Sequence, residues 1–405
     1  CVPAVVGLAL GAWPTPQRAA PMLAVERARR MRHTATVAMA GVVASLSLSV
    51  ALTVMVASFR GSVTAWLDVV LPADLYARAL QPASDADAQH LGQALVDQIG
   101  RLPGVRQVSG LRVSPLALAA DQPAVALIAR PVRQAERTLP LVGELLPAGA
   151  GRISVYVSEA MVDLYGARPG TTLPLPLVAG QPPVQAHVRG VWRDYARQQG
   201  AVIIDQADYQ RLTGDTDVND LAMYLAPQAR TADVQAGIRR LIEAQGLDSA
   251  LIEFAEPRAI RQTTLRIFDR SFAVTYWLQA LAIGIGLFGT AASFSAQVLA
   301  RRKEFGLLSH LGFTRRQVLG IVAGEGAAFT GVGALLGLGL GIAVSVVLVH
   351  VVNPQSFHWT MDLLLPWDRL ALLCLSVVAA GTATALLAGR AAVGRDAVMA
   401  VKEDW

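Results

Sequence analysis

Four long apolar runs constrain this chain more than any motif in it. Thr34 to Phe59 (TATVAMAGVVASLSLSVALTVMVASF), Phe272 to Ala300 and Leu370 to Gly389 contain no charged residue, and Val318 to Val352 contains one carboxylate, Glu325. A bilayer core of about 30 Å needs about 20 such residues in helical form, and all four runs meet that length. A water-soluble fold cannot bury four helices that are apolar all round. The remaining composition agrees: charged residues make up 16% of the chain, against about 25% in soluble domains, and mean hydropathy is +0.43. The expected architecture is an α-helical membrane protein with four complete transmembrane helices.

The basic residues orient it. Arg27, Arg29, Arg30 and Arg32 precede the first span, Arg301, Arg302, Lys303, Arg315 and Arg316 lie between the second and third, and Arg390 and Arg395 follow the fourth. The short loop between the third and fourth spans (NPQSFHWTMDLLLPW) has neither Lys nor Arg. Positive charge beside span ends marks the cytoplasmic side, so residues 60–271 fall outside. This topology accounts for a net charge of +5, because the basic residues flank spans instead of forming a patch with interleaved aromatics. A nucleic-acid partner is therefore excluded. The resulting division is 34–59, 272–300, 318–352 and 369–393 as spans, 301–317 as a cytoplasmic connector, 353–368 as a short external loop and 394–405 as a cytoplasmic tail. Residues 1–12 are apolar but too short to span. They read as the tail of a preceding membrane helix, with 13–33 as a linker and interfacial helix.

The external segment is expected to be a large extracytoplasmic α+β domain. It contains no cysteine, so it folds without disulfides. DLYARAL, RQVSGLRVSPLAL and PAVALIARPV read as strands around a helix that ends near Pro103-Gly104. A second unit begins near Gly151, where ISVYVS runs into a helix with Ser158 at its N-cap. Short strands follow in ARPGTTLPLPL, VQAHVRGVW and GAVIID. The subdomains divide as 72–150 with 215–256, and 151–214. From Pro257 to Ser271 a helical stalk leads into the second span.

The connector RRKEFGLLSHLGFTRRQVLG, Arg301 to Gly320, carries the functional signal. Arg301, Arg302 and Lys303 hold it in the cytoplasm, while Phe305, Leu307, Leu308 and Leu311 form an apolar stripe suited to a groove on a partner. Gly312 is placed to end one helix and Thr314 to cap the next, before Arg315 and Arg316. Glu304 can pair with an arginine here or reach across to a partner. The competing reading is a topological anchor lying on lipid head groups. In the third span Gly333, Gly337 and Gly341 recur every fourth residue, a face that admits close helix packing. Glu325 is an intramembrane acid, by default a functional candidate. A structural role paired with Arg315 or Arg316 is preferred.

Enzymatic signatures are lacking. The two lysines, Lys303 and Lys402, are not preceded by Gly, so the chain has no phosphate-binding loop of the G-x-x-x-x-G-K-[ST] type and is not itself an ATPase. The six histidines lack paired ligand spacing. Asp194 beside Tyr195, and Asp205 with Asp208, read as solvated loop residues instead of an acid/base pair.

The order of one span, an external domain of about 200 residues, a second span, a connector R-x-K-E-F-G-L-L-x-x-L-G-x-T-R-R-Q-V, a Gly-rich third span and a fourth span resembles the FtsX-like permease family of ABC systems (type VII), the class of macrolide-exporter and lipoprotein-release permeases. The resemblance covers Arg27 to Val401. It implies a non-catalytic subunit of the bacterial inner membrane whose connector is a coupling helix on a cytoplasmic ABC ATPase dimer. Arg302, Lys303, Glu304, Phe305, Leu308, Leu311, Gly312, Arg315 and Arg316 would form that docking site. No cofactor is held by this chain, and ATP and Mg belong to the partner. The external, periplasmic domain would pair a porter-like with a barrel-like subdomain. Residues before Arg27 suggest the second, C-terminal module of a longer two-module permease. Further partners implied are that second module, membrane lipid and a periplasmic or outer-membrane protein. The work done would be mechanotransmission for export or extraction of a lipid, lipoprotein, peptide or drug. The alternative is a membrane-anchored receptor or regulator of a periplasmic cell-wall enzyme.

Overall fold

A computed structural model describes residues 32–79, 91–119, 122–149, 151–246, 248, 250 and 252–392. The expectations for residues 1–31 and for the tail 394–405 lie outside these. The chain forms two compact units: one draws on the described residues within Cys1–Phe59, Arg270–Val351 and Asp362–Trp405, the other on Arg60–Asp269 and Val352–Met361.

The first unit contains the apolar runs. Helix α1 (Arg32–Val70), α7 (Pro257–Ala300), α9 (Arg315–Val347) and α11 (Trp367–Ala392) are long and apolar enough to cross a membrane. Two of them exceed the apolar runs that predict them. α1 continues past Phe59 because Val63, Trp66 and Leu67 repeat at helical spacing and are buried. α7 starts at Pro257, where a missing N–H costs nothing in a first turn. The stalk, expected as a helical stretch leading straight into the second span, is the beginning of one unbroken helix. α9 passes into a π turn, Leu348–Val352, and the short α10 (Asn353–Phe357), so helical structure enters what hydropathy marks as loop.

Within this unit, small residues set the packing. A Cβ at Gly333 would sit 3.2 Å from Val42, one at Gly337 3.1 Å from Leu46, and one at Gly341 2.6 Å from Val50. Those three partners lie at i, i+4 and i+8 on α1 and are fully buried. The glycine face of the third span is therefore the seat of the first. Gly381 of α11 leaves the room taken by Thr330 of α9, and Gly326 that taken by Ala385. Gln279 of α7 donates to Thr53 Oγ1 of α1 at 2.9 Å, satisfying a polar side chain inside an apolar span.

The second unit is a mixed sheet with helices. Strands β1 (Leu75–Ala79), β2 (Val105–Leu116), β3 (Val125–Arg130), β4 (Leu141–Val142), β5 (Ile153–Ser158), β6 (Thr172–Leu175), β7 (Val184–Trp192), β8 (Ala201–Asp205), β9 (Asp220–Leu225) and β10 (Ile252–Ala255) follow the order β10-β1-β9-β2-β3-β8-β5-β7-β4, with β6 on β7. β2 changes partners midway, pairing with β9 through Leu111 and with β3 from Arg112. Asn219 holds this junction: its Oδ1 accepts from Val113 N–H at 2.9 Å, its Nδ2 donates to Val113 C=O at 2.7 Å, and its own N–H donates to Leu111 C=O. One side chain thereby replaces the missing strand partner.

Two cores result. The first packs Leu75, Leu221, Met223 and Ile252 of the sheet against Leu95 and Ile99 of α2 (Gln93–Gly100) and Val234, Ile238 and Ile242 of α6 (Thr231–Ala244). The second gathers Val125, Leu127, Val155, Val157, Val188, Val202 and Ile204 with Met161 of α4 (Glu159–Tyr165). The division differs from the expected one, because β3, β4 and the second half of β2 belong with residues 151–214 and not with 72–150. β3 runs parallel to β8, with Ala126 opposite Ala201 and Arg130 opposite Asp205, a long-range pairing that local patterns do not reveal. Ser158 also differs. It stands at the N-cap of α4 without a side-chain cap. Its buried Oγ instead accepts from Ala201 N–H at 2.9 Å and ties β5 to β8.

Candidate functional site

The connector folds into α8 (Arg302–His310), a turn at Leu311–Thr314, and the start of α9. Gly312 takes φ +89, a left-handed conformation that an L side chain rarely adopts, and reverses the chain after α8. Thr314 then begins α9 with a capping box. Its N–H donates to Gln317 Oε1 at 2.8 Å while its Oγ1 accepts from Gln317 N–H. The turn and the cap thereby mark off a short helix between two long ones by local chemistry.

The structure separates the expected docking residues into two groups. Phe305 is 1% exposed and packs with Val298, Val318 and Val322, with the half-buried Leu308 against the same cluster. These two anchor α8 to its own unit, a correction to the reading that placed both on a partner-facing stripe. Leu307 and Leu311 are 63% and 69% exposed, and Glu304, His310, Gly312, Arg315 and Arg316 are exposed as well. Arg302 and Lys303 lie on α8, and their side chains fall outside the described set. Arg315 and Arg316 occupy the first turn of α9, which has no acidic residue. Cations there oppose the helix dipole by about 0.3–1 kcal/mol, so helix stability does not explain them.

Behind α8 lies an ion pair that links the connector to the third span. Arg301 and Glu325 are 8% and 6% exposed. The guanidinium donates to Glu325 through Nη1 at 2.7 Å and Nη2 at 3.3 Å, and through Nε to Glu304 at 3.2 Å. It also lies 5.4 Å from the centroid of Phe305. The partner of Glu325 is thus Arg301, not Arg315 or Arg316. Arg315 and Arg316 begin α9 itself, and the carboxylate a few turns on meets the guanidinium arriving from the end of α7. A forked pair of this kind fixes orientation as well as charge. In the sequence, Arg301 shows only as a topological cation, and no local signal marks its pairing.

Among external candidates, Asp205 caps α5 (Gln206–Thr213), accepting from Ala207 N–H at 3.0 Å, and Asp208 pairs with Arg211 at the surface. Asp194 departs from expectation. It is 3% exposed and Tyr195 is 6% exposed, with Arg197 3.0 Å from the Asp194 carboxylate. Burial pushes the Asp194 carboxyl above its ordinary range, offset in part by Arg197 and by the hydrogen bond from Ala196 N–H. A folded-state value raised in this way favours folding at pH below the unfolded value, and the advantage disappears as pH rises through the folded value. Acidification from neutral pH is therefore expected to raise the unfolding midpoint of the external unit, and Asp194→Asn to flatten that dependence. Tryptophan-detected thermal unfolding of both proteins tests this, and an unchanged slope in the variant rejects it. Among the described residues, no group of three or more His, Cys, Asp or Glu side chains is placed to hold a metal ion.

Residues 278–397, which include the second half of α7, the connector, α9 and all of α11, match the model of the FtsX-like permease C-terminal family. The chain is 28% identical, over 338 residues and 81% of its length, to an uncharacterized ABC transporter permease protein of Mycobacterium tuberculosis. The chain spans 38% of that relative's length. Among solved structures, the periplasmic region of MacB from Actinobacillus actinomycetemcomitans aligns with 49% of this chain and 95% of its own at 14% identity and a TM-score of 0.36. The extracellular domain of the ABC-type transporter YknZ from Gram-positive bacteria aligns with 45% and 99% at 12% identity and a TM-score of 0.33.

Proposed function

We propose that this chain is the transmembrane permease subunit of an ABC complex in a bacterial inner membrane, driven by a separate cytoplasmic ATPase dimer that docks on α8. The edge of α8 carries this reading. Leu307 on α8 and Leu311 in the turn after it are exposed, as are Arg315 and Arg316 at the start of α9, while the buried Phe305 and Arg301 fix the connector to its own unit. An apolar ridge rimmed by charge suits a groove on a soluble partner, and the rigid attachment behind it suits the transfer of movement.

The four spans offer few polar side chains, and among those of α1 and α7 the side chains of Ser49, Thr53, Gln279 and Thr290 bond to one another or to their own helix. Mechanical transmission to the external unit is therefore favoured over conduction through a polar path. The load would be a lipid, lipoprotein, peptide or drug handled outside the membrane, with a second permease module completing the complex.

Photo-crosslinkers at Leu307, His310 and Leu311, with Phe305 as the buried control, test the docking face in native membranes. Capture of a P-loop ATPase from the exposed positions and not from Phe305 is the expected result. Capture of lipid alone from all three positions would reject the proposal.

A further inference from the structure

The segment Val352–Met361 joins two membrane helices, yet it packs as part of the external unit. Its grip centres on Thr360, whose polar atoms are all engaged. The N–H donates to Glu159 Oε2 at 3.1 Å, the hydroxyl donates to Glu159 Oε1 at 2.5 Å and accepts from Arg193 at 3.1 Å, and the carbonyl accepts from the Tyr195 hydroxyl at 2.9 Å. Glu159 and Tyr195 are 8% and 6% exposed. Trp359 meets Tyr195 edge-on with centroids 4.8 Å apart, and its carbonyl accepts from the buried Asn353 side chain at 2.8 Å.

A connecting loop ordinarily runs over the surface with its backbone in water. Burying a carboxylate to hold one threonine is costly unless the bonds are kept, and nothing in chain closure requires it. Just before it, α9 ends in a π turn, a deformation frequent at functional sites. At its other end α9 is held to the connector by Glu325 and Arg301.

We infer that Thr360 and Glu159 are positioning residues of the drive: the third span acts as a second transmission rod alongside α7, with Thr360 as its point of attachment to the external unit. This rests on the permease reading above, in which the connector is moved by an ATPase. Movement applied at Glu325 then reaches the external unit through α9 and Thr360 as well as through the stalk portion of α7.

The test uses the full chain with its ATPase in native membranes, spin-labelled at Gln181→Cys and Arg369→Cys, with distances recorded before and after ATP. An ATP-induced shift is expected in the parent, most of it lost in Thr360→Val and restored in Thr360→Ser, with ATP hydrolysis retained in both. If Thr360→Val does not fold, Tyr195→Phe, which removes one bond to the same carbonyl, takes its place with a partial loss expected. A full shift in Thr360→Val or in Tyr195→Phe overturns the attachment role and leaves the permease reading standing. Absence of any ATP-induced shift in the parent overturns both.

Discussion

Replacing Glu325 with alanine is expected to destabilise the membrane unit by about 3–5 kcal/mol, because it strands the Arg301 guanidinium in a buried site. The pair is enclosed on both sides, with Arg301 8% and Glu325 6% exposed, and both guanidinium nitrogens reach the carboxylate. Glu304 is no substitute, since its side chain is 49% exposed and a solvated partner contributes at most about 1 kcal/mol. Glu304→Gln is therefore expected to be nearly neutral for stability. Arg301→Met combined with Glu325→Leu should recover most of the loss, as buried pairs replaced by apolar groups of similar volume often do. Thermal unfolding in detergent micelles, followed by intrinsic fluorescence, compares the four proteins. An Glu325→Ala midpoint equal to the parent's would show that the pair is solvated.

Gly341→Ala is expected to be the most damaging alanine substitution on the Gly333, Gly337 and Gly341 face of the third span. Its Cβ would stand 2.6 Å from Val50 and 2.7 Å from the Ser47 carbonyl. A backbone oxygen cannot rotate away as a side chain can, so α1 and α9 must separate, at an expected cost of about 1–3 kcal/mol. Gly337→Ala and Gly333→Ala meet side-chain atoms at 3.1 Å and 3.2 Å and should cost less. Gly339→Ala meets nothing within 4 Å and should be neutral, or stabilising by roughly 0.5–1 kcal/mol through the lower flexibility of the alanine backbone. The ranking of four unfolding midpoints is the measurement. Equal midpoints for Gly341→Ala and Gly339→Ala would show that this face does not pack against α1.

Local composition determined the helical, membrane-crossing class of this chain, since length and hydropathy need no partner to be read. The turn at Gly312, the cap at Thr314 and the packing face of Gly333, Gly337 and Gly341 follow from equally local chemistry. The same reasoning failed where a residue's role depends on what lies opposite. Phe305 and Leu307 are two positions apart on one short helix, and hydropathy gives no reason to bury one and expose the other; Val298, Val318 and Val322 decide it. Asp194 in a polar stretch reads as solvated until the fold surrounds it. Ser158 has the position of a cap, but Ala201 is nearer to its hydroxyl than any free amide of α4. β3 reads as a neighbour of β2 and only the assembled sheet shows that it equally belongs to β8. The pairing of Arg301 with Glu325, and of Thr360 with Glu159, joins residues far apart in sequence. Contacts of that kind are selected by packing and desolvation across the whole fold, and they have no local periodicity from which to be read.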